Sequence, residues 1–399
     1  MLKLFIQGNK GLRTKGSVKN KMETVKGFND FTGKDALKRA KMKRKIVETF
    51  EKYGFEPAET PVVEYEEFVR GENSNDEAVR DVFRLEDRGK RKLALRYEWT
   101  FQLKRISQNK KFPYKRYQVG ELFRDEPIRA GRSRQFIQCD VDVVGSSIKD
   151  EAEILTIAKE VFGGLGIKIK ILVNNRKLMN EILEKEKVGV NDRAQVIREI
   201  DKLDKLSEVE VKSNLARYGA SDLIELFRQK EKNFEVYENY SEIDELKSLC
   251  AMMGVSVEFS PTLARGLSYY NGNVFEIWSE ELGVSLAGGG GFLVNGIQST
   301  GLSFGLEPIF LLSKVEADEI DYAIISLGQD GRAIEIAEKL RAKEKKVSLI
   351  FDKSPSKALE WANAYGVKKV VFVGEKEVNE NLFKVKDMKT GVESELSGI

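Results

Sequence analysis

Residues 114–126 read YKRYQVGELFRDE and residues 131–145 read GRSRQFIQCDVDVVG. Each is a strand-length run, and a loop at Pro127–Arg132 separates them, so the spacing predicts an antiparallel pair. Working outward, residues 33–53 have helical period, with Gly54 as a stop. Residues 55–64 (FEPAETPVVE) read as a strand and a turn. Residues 82–100 (VFRLEDRGKRKLALRYEWT) read as two strands joined by a turn at Asp87–Gly89, with Leu93 and Leu95 directed inward. A helix is expected from about Asp150 to Phe162. Strands resume in residues 262–278, 283–294 and 300–312. Consecutive antiparallel strands of this kind predict an α+β fold on an antiparallel sheet, not a doubly wound one.

Two other segments differ in character. Residues 174–253 are charged, nearly free of glycine and helical in period, the pattern of a helical insertion between two parts of a core at residues 25–173 and 254–315. After a boundary at residues 313–321 the pattern becomes strand 322–327, helix 331–343, strand 346–351, helix 356–365 and strand 369–373. That βαβαβ rhythm predicts a separate small α/β domain over residues 319–399 with a mostly parallel sheet.

Composition narrows the chemistry. The chain has 399 residues, 41% apolar and 33% charged, enough for two or three domains with cores of their own. Lys+Arg 67 against Asp+Glu 64 leaves +3, no bulk attraction for a nucleic acid. No apolar run approaches the roughly 18 residues of a membrane span. Cys139 and Cys250 are the two cysteines, too few for a disulfide framework or a cysteine-rich zinc site. There is no histidine, so a Ser-His-Asp triad, a histidine base and a histidine-ligated metal are all excluded. Any catalysis has to run on carboxylates, Arg, Lys, backbone groups and a carboxylate-bound Mg²⁺. Residues 1–24 form a basic extension: residues 1–22 hold six basic groups and no acid, as a phosphate-binding arm or simply a frayed tail would.

Four constellations have the means to act. Arg124, Arg129, Arg132 and Arg134 lie within eleven residues, and from Phe101 to Arg134 ten Lys/Arg face three Asp/Glu. Arginine suits phosphate or carboxylate because its planar fork binds in bidentate fashion and stays charged; the spacing is equally that of a solvated basic hairpin. In LRYEWT (residues 95–100) strand alternation would put Arg96, Glu98 and Thr100 on one polar face, either wet or the floor of a site. In ARGLSYYNGNVFE (residues 264–276) Arg265 precedes Tyr269 and Tyr270, one of which can pack while the other lines a pocket. Gly288–Gly291 permit close approach of a ligand, or form a bulge or turn.

Taken in order, these segments resemble the histidyl-tRNA synthetases, a class II aminoacyl-tRNA synthetase family. KGFNDF (residues 26–31) resembles the family's opening. LRYEWT stands where the family has LRPEgT. Residues 121–145 are similar to the motif 2 loop in its histidyl form, and RGLSYY (residues 265–270) to the family's own histidine signature. STGLSFGLEPI (residues 299–309) stands at motif 3, and residues 367–378 and 383–391 resemble the end of the anticodon-binding domain. The resemblance implies a six-stranded antiparallel class II catalytic sheet, a helical insertion and a C-terminal anticodon-binding domain. It implies a cytoplasmic homodimer acting on histidine, ATP and tRNA(His), with Mg²⁺ and with neither membrane nor DNA as partner.

The same resemblance assigns roles. Arg124 and Arg265 would be catalytic, holding the ATP α-phosphate and the reacting carboxylate. Glu126, Arg132 and Arg134 would join Arg124 in binding ATP. Glu98, Thr100, Gln138, Asp142, Tyr269 and Tyr270, with Arg265, would bind histidine; Asp142 would accept from the imidazole N–H while a tyrosine hydroxyl serves the other nitrogen. The sequence departs from the pattern at Pro308, where motif 3 has the arginine of the γ-phosphate, at Gly291, Phe292 and Leu293 in place of Arg-Tyr-Asp, and at Ser268 in place of Asp. Those departures raise a second expectation, a non-catalytic histidine-sensing regulatory subunit like the accessory subunit of ATP phosphoribosyltransferase.

Overall fold

The computed structural model describes residues 23–71, 81–128, 132–204, 206–264 and 269–396. The chain divides into two units, one of Met1–Asp30 with Met42–Val315, the other of Phe31–Lys41 with Glu316–Ile399. The helix Gly33–Lys52 contributes to both.

The first unit is built on an eight-stranded sheet in the order β1-β5-β6-β11-β10-β9-β7-β8. Its strands are β1 (Glu56–Pro57), β5 (Tyr114–Phe123), β6 (Gln135–Val144), β7 (Ile169–Asn175), β8 (Glu258–Phe259), β9 (Tyr270–Ser279), β10 (Ser285–Val294) and β11 (Ile297–Gly305). The six middle strands are antiparallel throughout. The two-residue edge strands β1 and β8 pair in parallel and extend the expected six to eight.

Side-chain alternation explains how this sheet is used. On β6 the positions Ile137, Cys139, Val141 and Val143 point to one face and enter the main apolar cluster. Leu302 and Phe304 of β11, Phe275 and Ile277 of β9 and Val173 of β7 join them, covered by Leu155 and Phe162 of the helix Ile148–Gly164. The ring of Phe304 lies 5.5 Å from that of Phe162 and 6.2 Å from that of Phe50. At about 25 cal/mol per Å², a face of aliphatic and aromatic side chains of this breadth is the main force holding strands to helices. On the opposite face β6 presents Gln138, Asp140 and Asp142, each less than a tenth exposed.

The segment after β7 is helical, with helices Arg176–Lys185, Val190–Ile200, Glu208–Ala216, Leu223–Phe227 and Ser241–Met252. The Asn175 side chain starts it by accepting from the Lys177 and Leu178 amides at 2.7 and 3.3 Å. Met179, Ile197, Leu215 and Phe227 enter the same apolar cluster as the sheet, so the helices share its core.

A three-stranded sheet, β2-β4-β3, stands apart from the main one: β2 is Val63–Tyr65, β3 Arg84–Glu86 and β4 Lys92–Leu95. The turn falls at Asp87–Gly89 as the sequence suggests, but the inward residue is Ala94, with Leu93 and Leu95 half-buried on the outer side. Ala94 packs with Val69, Tyr97 and Phe101 in a small apolar cluster.

The second unit carries a five-stranded sheet in the order β13-β12-β14-β15-β16, comprising β12 (Tyr322–Ser326), β13 (Val347–Ile350), β14 (Lys369–Val373), β15 (Lys384–Asp387) and β16 (Glu393–Glu395). The first three strands are parallel and the last two pairings antiparallel. Strand β12 is buried on both faces, as a parallel strand between helices must be: Ile324 packs with Ile336 and Ala337, and Ala323 and Ile325 pack with Ala358 and Ala362. Among the described residues no helix is long and apolar enough to cross a membrane.

Beneath the main sheet, Asn273 Nδ2 donates to Glu151 Oε2 at 2.7 Å. Burial pushes this carboxyl up to about 7, against the pull of that hydrogen bond. A carboxyl whose pKa is raised by folding stabilises the fold while protonated, and that contribution is lost as pH rises from the unfolded value through about 7. Glu151→Gln is therefore expected to gain on wild type by on the order of 2–3 kcal/mol between about pH 5 and pH 8. Urea denaturation at the two pH values measures it, and an unchanged difference would contradict a buried, proton-retaining Glu151.

Candidate functional site

The polar face of the main sheet brings the expected residues together through glycine. Gly301 of β11 pairs with Asp142 of β6 and with Gly290 of β10. A Cβ on Gly301 would collide with Asp142 Oδ1, and one on Gly290 would press on the Asn273 carbonyl and come within 3.0 Å of the Tyr270 ring. Gly290, at φ +151°, also sits at a β-bulge. So Asp142 and Tyr270 lie over paired glycines on one face, and the run Gly288–Gly291 is the interior of a buried strand, not a turn.

From Tyr270 the wall continues. Its ring lies 4.8 Å from that of Tyr269, which packs on Phe292 at 5.6 Å. The Tyr269 hydroxyl meets Thr100 and Tyr270; desolvation first, then the charges of Tyr270 and Glu98, drive its pKa far above the tyrosine value. Glu98, Thr100, Tyr269 and Tyr270 thus share one corner. Beside it Arg124 Nε donates to the Tyr97 carbonyl at 3.1 Å, with the guanidinium 5.0 Å from the Phe136 ring. Arg124 and Glu98 consequently occupy one neighbourhood although 26 positions separate them in sequence.

The β5–β6 hairpin end supplies further cations. Arg132 pairs with Glu126 at 3.1 Å and Arg134 with Asp125 at 3.0 Å. Both pairs are partly open to solvent and worth little by themselves, so either guanidinium can turn to a phosphate at small cost. Arg134 also covers Gly27: its amide and that of Gln135 donate to the Gly27 carbonyl at 3.0 and 3.2 Å, and Gly27 has φ +89° with no room for a Cβ beside the Arg134 stem. That contact ties KGFNDF to the hairpin.

One expectation needs correcting. Residues 96–99 are not strand; β4 ends at Leu95 and the helix Thr100–Ile106 follows. Arg96 therefore does not share a face with Glu98 and Thr100. It is buried and donates to the Glu121 and Thr60 carbonyls at 2.8 and 2.7 Å while stacking 4.3 Å from Trp99, a structural strut. Pro308 lies in the first turn of the helix Leu306–Leu312, where an amide has no intrahelical acceptor, so it costs the helix nothing. Its neighbour Glu307 accepts from the Ile137 amide with both oxygens at 3.2 Å and so holds the start of β6. Arg265 and Ser268, and with them part of the histidine signature, lie outside the described residues, as do residues 1–22 of the basic N-terminal extension.

The structure adds two residues that the motifs did not single out. Arg116, 1% exposed, stands with Nη2 2.7 Å from Asp142 Oδ2, and Asp140 lies two positions along β6 on the same face. Arg116 was only one of ten in the basic count; the alternation in QCDVDVV was the available signal for Asp140. Burial raises the pKa of both carboxyls, Asp142 adds its repulsion to Asp140, and Arg116 opposes the rise in each.

The family model described as Histidyl-tRNA synthetase matches residues 27–309, and the one described as Anticodon binding domain matches residues 321–397. The chain belongs to the histidyl-tRNA synthetase family. It is 34% identical to Histidine–tRNA ligase 1 of Bacillus cereus, covering 93% of this chain and 96% of that protein. It is 30% identical to the Histidine–tRNA ligase of Pyrococcus horikoshii, covering 94% and 96%. A histidyl-tRNA synthetase crystal structure from Nostoc sp. superposes with a TM-score of 0.83 at 24% identity over 95% of this chain and 97% of that one. A structure from Bacillus halodurans titled as an ATP phosphoribosyltransferase regulatory subunit/histidyl-tRNA synthetase gives 0.74 at 20% identity, covering 90% and 99%. These two likenesses show the fold, that of a class II histidyl-tRNA synthetase.

The glycine pairing yields a prediction. Gly301→Ala is expected to destabilise the protein by about 1–3 kcal/mol, because its methyl and Asp142 claim the same space. Gly272→Ala, which meets nothing within 4 Å, serves as the control. Equal denaturation midpoints for the two variants would contradict close packing of Asp142 on Gly301.

Proposed function

We propose that the chain is a histidine–tRNA ligase, which activates histidine with ATP and transfers it to the 3′ end of tRNA(His). The observation that carries this is the convergence of Arg124, Glu98, Thr100, Tyr269, Tyr270 and Asp142 on one polar wall, in a member of the histidyl-tRNA synthetase family. In the first step the histidine carboxylate attacks the ATP α-phosphorus, the bond to the bridging oxygen breaks, and pyrophosphate leaves with the electron pair. In the second, the terminal ribose hydroxyl of the tRNA takes the acyl group and AMP leaves.

Such a displacement needs positioning and charge neutralisation more than a covalent partner. Arg124, propped by the Tyr97 carbonyl, is assigned to the α-phosphate and the reacting carboxylate. Glu126, Arg132 and Arg134 are assigned to ATP, with the exposed pairs giving up their mutual contacts to do so. Glu98 and Thr100 would hold the substrate ammonium, and Gln138, Asp142, Tyr269 and Tyr270 the side chain. Arg265 enters through the sequence resemblance, as a second cation at the α-phosphate. Mg²⁺ is expected with ATP. It takes one or two carboxylates together with phosphate oxygens and keeps several waters. No group of three or more metal-binding side chains occurs among the described residues, and Glu126 meets the lesser demand. When bound, the ion would neutralise phosphate charge.

The regulatory reading rested on the departures at Pro308, at Gly291, Phe292 and Leu293, and at Ser268; it is not favoured, because the curated relatives are histidine–tRNA ligases and an anticodon-binding domain is present. From Glu319 onward 14 basic residues balance 14 acidic ones, so tRNA binding there would rest on local contacts to splayed anticodon bases. In this proposal two copies associate, with the exposed Val63, Tyr65 and Leu85 on the outer face of the three-stranded sheet available to be covered.

Histidine-dependent ATP–pyrophosphate exchange followed by tRNA charging decides the matter. Exchange is expected, with Arg124→Ala lowering it by about 10²–10³-fold at unchanged stability. Histidine binding without exchange would sink the ligase reading. Removal of residues 319–399 should weaken tRNA binding while exchange persists; undiminished affinity would remove the C-terminal domain from recognition.

A further inference from the structure

Where β7 meets the helical insertion, buried polar side chains remain to which the mechanism above gives no task. Asn174 and Asn175 are both shut off from solvent. Asn174 Nδ2 donates to the Pro261 carbonyl at 2.9 Å and to the Leu263 carbonyl at 2.8 Å, while its Oδ1 accepts from the Asn175 amide at 2.8 Å. Both donor hydrogens and the acceptor oxygen of the side-chain amide are thus in use. Aspartate could not take its place, because a carboxylate would face two carbonyl oxygens. Asn175 Nδ2 donates to Asn273 Oδ1 at 2.9 Å and to Glu242 Oε2 at 2.8 Å, so the end of β7 is fixed to its register partner on β9 and to the helix Ser241–Met252.

The stretch that Asn174 grips is held from a second side. The Ala264 amide donates to Asp201 Oδ1 at 3.2 Å, across 63 positions of sequence. Asp201 opens a short 3-10 turn, Asp201–Asp204, at the end of the insertion helix Val190–Ile200. Arg176, the first residue of the helix Arg176–Lys185, lies within reach of its charge: burial pushes the Arg176 pKa down, Asp201 pulls it up and Arg198 pushes it down. Leu263 and Ala264 are buried. Removing Asn174 or Asp201 would therefore leave backbone groups unpaired away from water, which is costly.

The destination of this stretch gives the contacts a purpose. Residues 261–264 run directly into RGLSYY (residues 265–270). Leu263 shares a small apolar cluster with Tyr270 and Val274, against which Leu172 and Tyr269 pack. Side chains from β7 and from the insertion thus set the backbone of Leu263, and Leu263 packs in the cluster that seats the Tyr270 ring.

We propose that Asn174 and Asp201 are positioning residues for histidine activation: they clamp residues 261–264 from two sides, so that Leu263 holds Tyr270 in place on the polar wall. Neither side chain touches substrate. The helical insertion is by this assignment a part of the activating machinery as well as a cover for the core. The proposal rests on the ligase reading.

The test is steady-state ATP–pyrophosphate exchange on the full chain, with urea denaturation alongside. Asp201→Ala should lower kcat/KM for histidine about tenfold, the cost of one hydrogen bond to a charged group, with KM for ATP unmoved. Asp201→Asn keeps an acceptor oxygen and should recover most of the loss. Asn174→Asp should behave like Asp201→Ala. The deciding comparison is with Tyr270→Ala, because residues that act through one another are not additive. In the Tyr270→Ala background Asp201→Ala should cost less than about twofold. Leu263→Ala, which removes no polar partner, should show the same loss alone and the same lack of further loss in that background, and carries the comparison where Asp201→Ala does not fold. A full loss repeated in the Tyr270→Ala background overturns the proposal. So does an Asp201→Ala variant that loses urea stability while keeping wild-type kcat/KM, which would make Asp201 a purely structural group. Absent exchange in the wild type would overturn the ligase reading itself; normal wild-type exchange with additive losses overturns this proposal alone.

Discussion

Strand β6 has to satisfy two opposite demands along ten residues, and the rest of the first unit is arranged around that. Its odd positions enter an apolar cluster that joins β9, β11 and the covering helices. Its even positions carry Gln138, Asp140 and Asp142 into a second buried face, where each polar group needs a partner. A one-residue slip would put carboxylates into the hydrocarbon layer and aliphatics into the polar wall, so register is strongly specified. Glu307 reinforces it by gripping the Ile137 amide from the following helix.

Polar burial on that face is compensated in several ways. Arg116 offsets Asp142, Gln138 and Ser303 hydrogen-bond Asp140, and glycines at 290 and 301 make room for Tyr270 and Asp142. The site is thus a place where the fold accepts unfavourable burial and backbone freedom in return for fixed polar groups, the arrangement expected where electrostatic preorganisation does the chemical work. Arg96 shows the contrast: another buried guanidinium, held by two carbonyls and an indole face, serves as a strut.

Much of the secondary structure was legible because its causes are local. The β5–β6 hairpin, the helix after it and the βαβαβ rhythm of the C-terminal unit fall within a few residues of expectation, since each rests on periodicity of two or near four and on turn residues. Reading failed where a short element answered to its neighbours. Ala94, not Leu93 or Leu95, is the position of β4 that meets Val69, Tyr97 and Phe101, a contact set by elements outside the strand. Residues 96–99 leave the strand because a helix begins at Thr100. Arg116 belongs to no motif and Asp140 is not one of the positions the motif 2 likeness assigns; their meaning lies in which strand pairs with which.

The sequence by itself determined the class of fold, the exclusion of histidine chemistry and of a disulfide framework, and the motifs that mark the synthetase family, because residue type, spacing and period are properties of the chain alone. Only the tertiary structure decided that Arg124 adjoins Glu98, that Tyr270 and Asp142 lie over paired glycines, and that two carboxylates share one guanidinium. Those facts depend on the pairing of strands far apart in the chain and on how completely water is removed between them. Both are fixed by packing over the whole sheet, not by any local pattern.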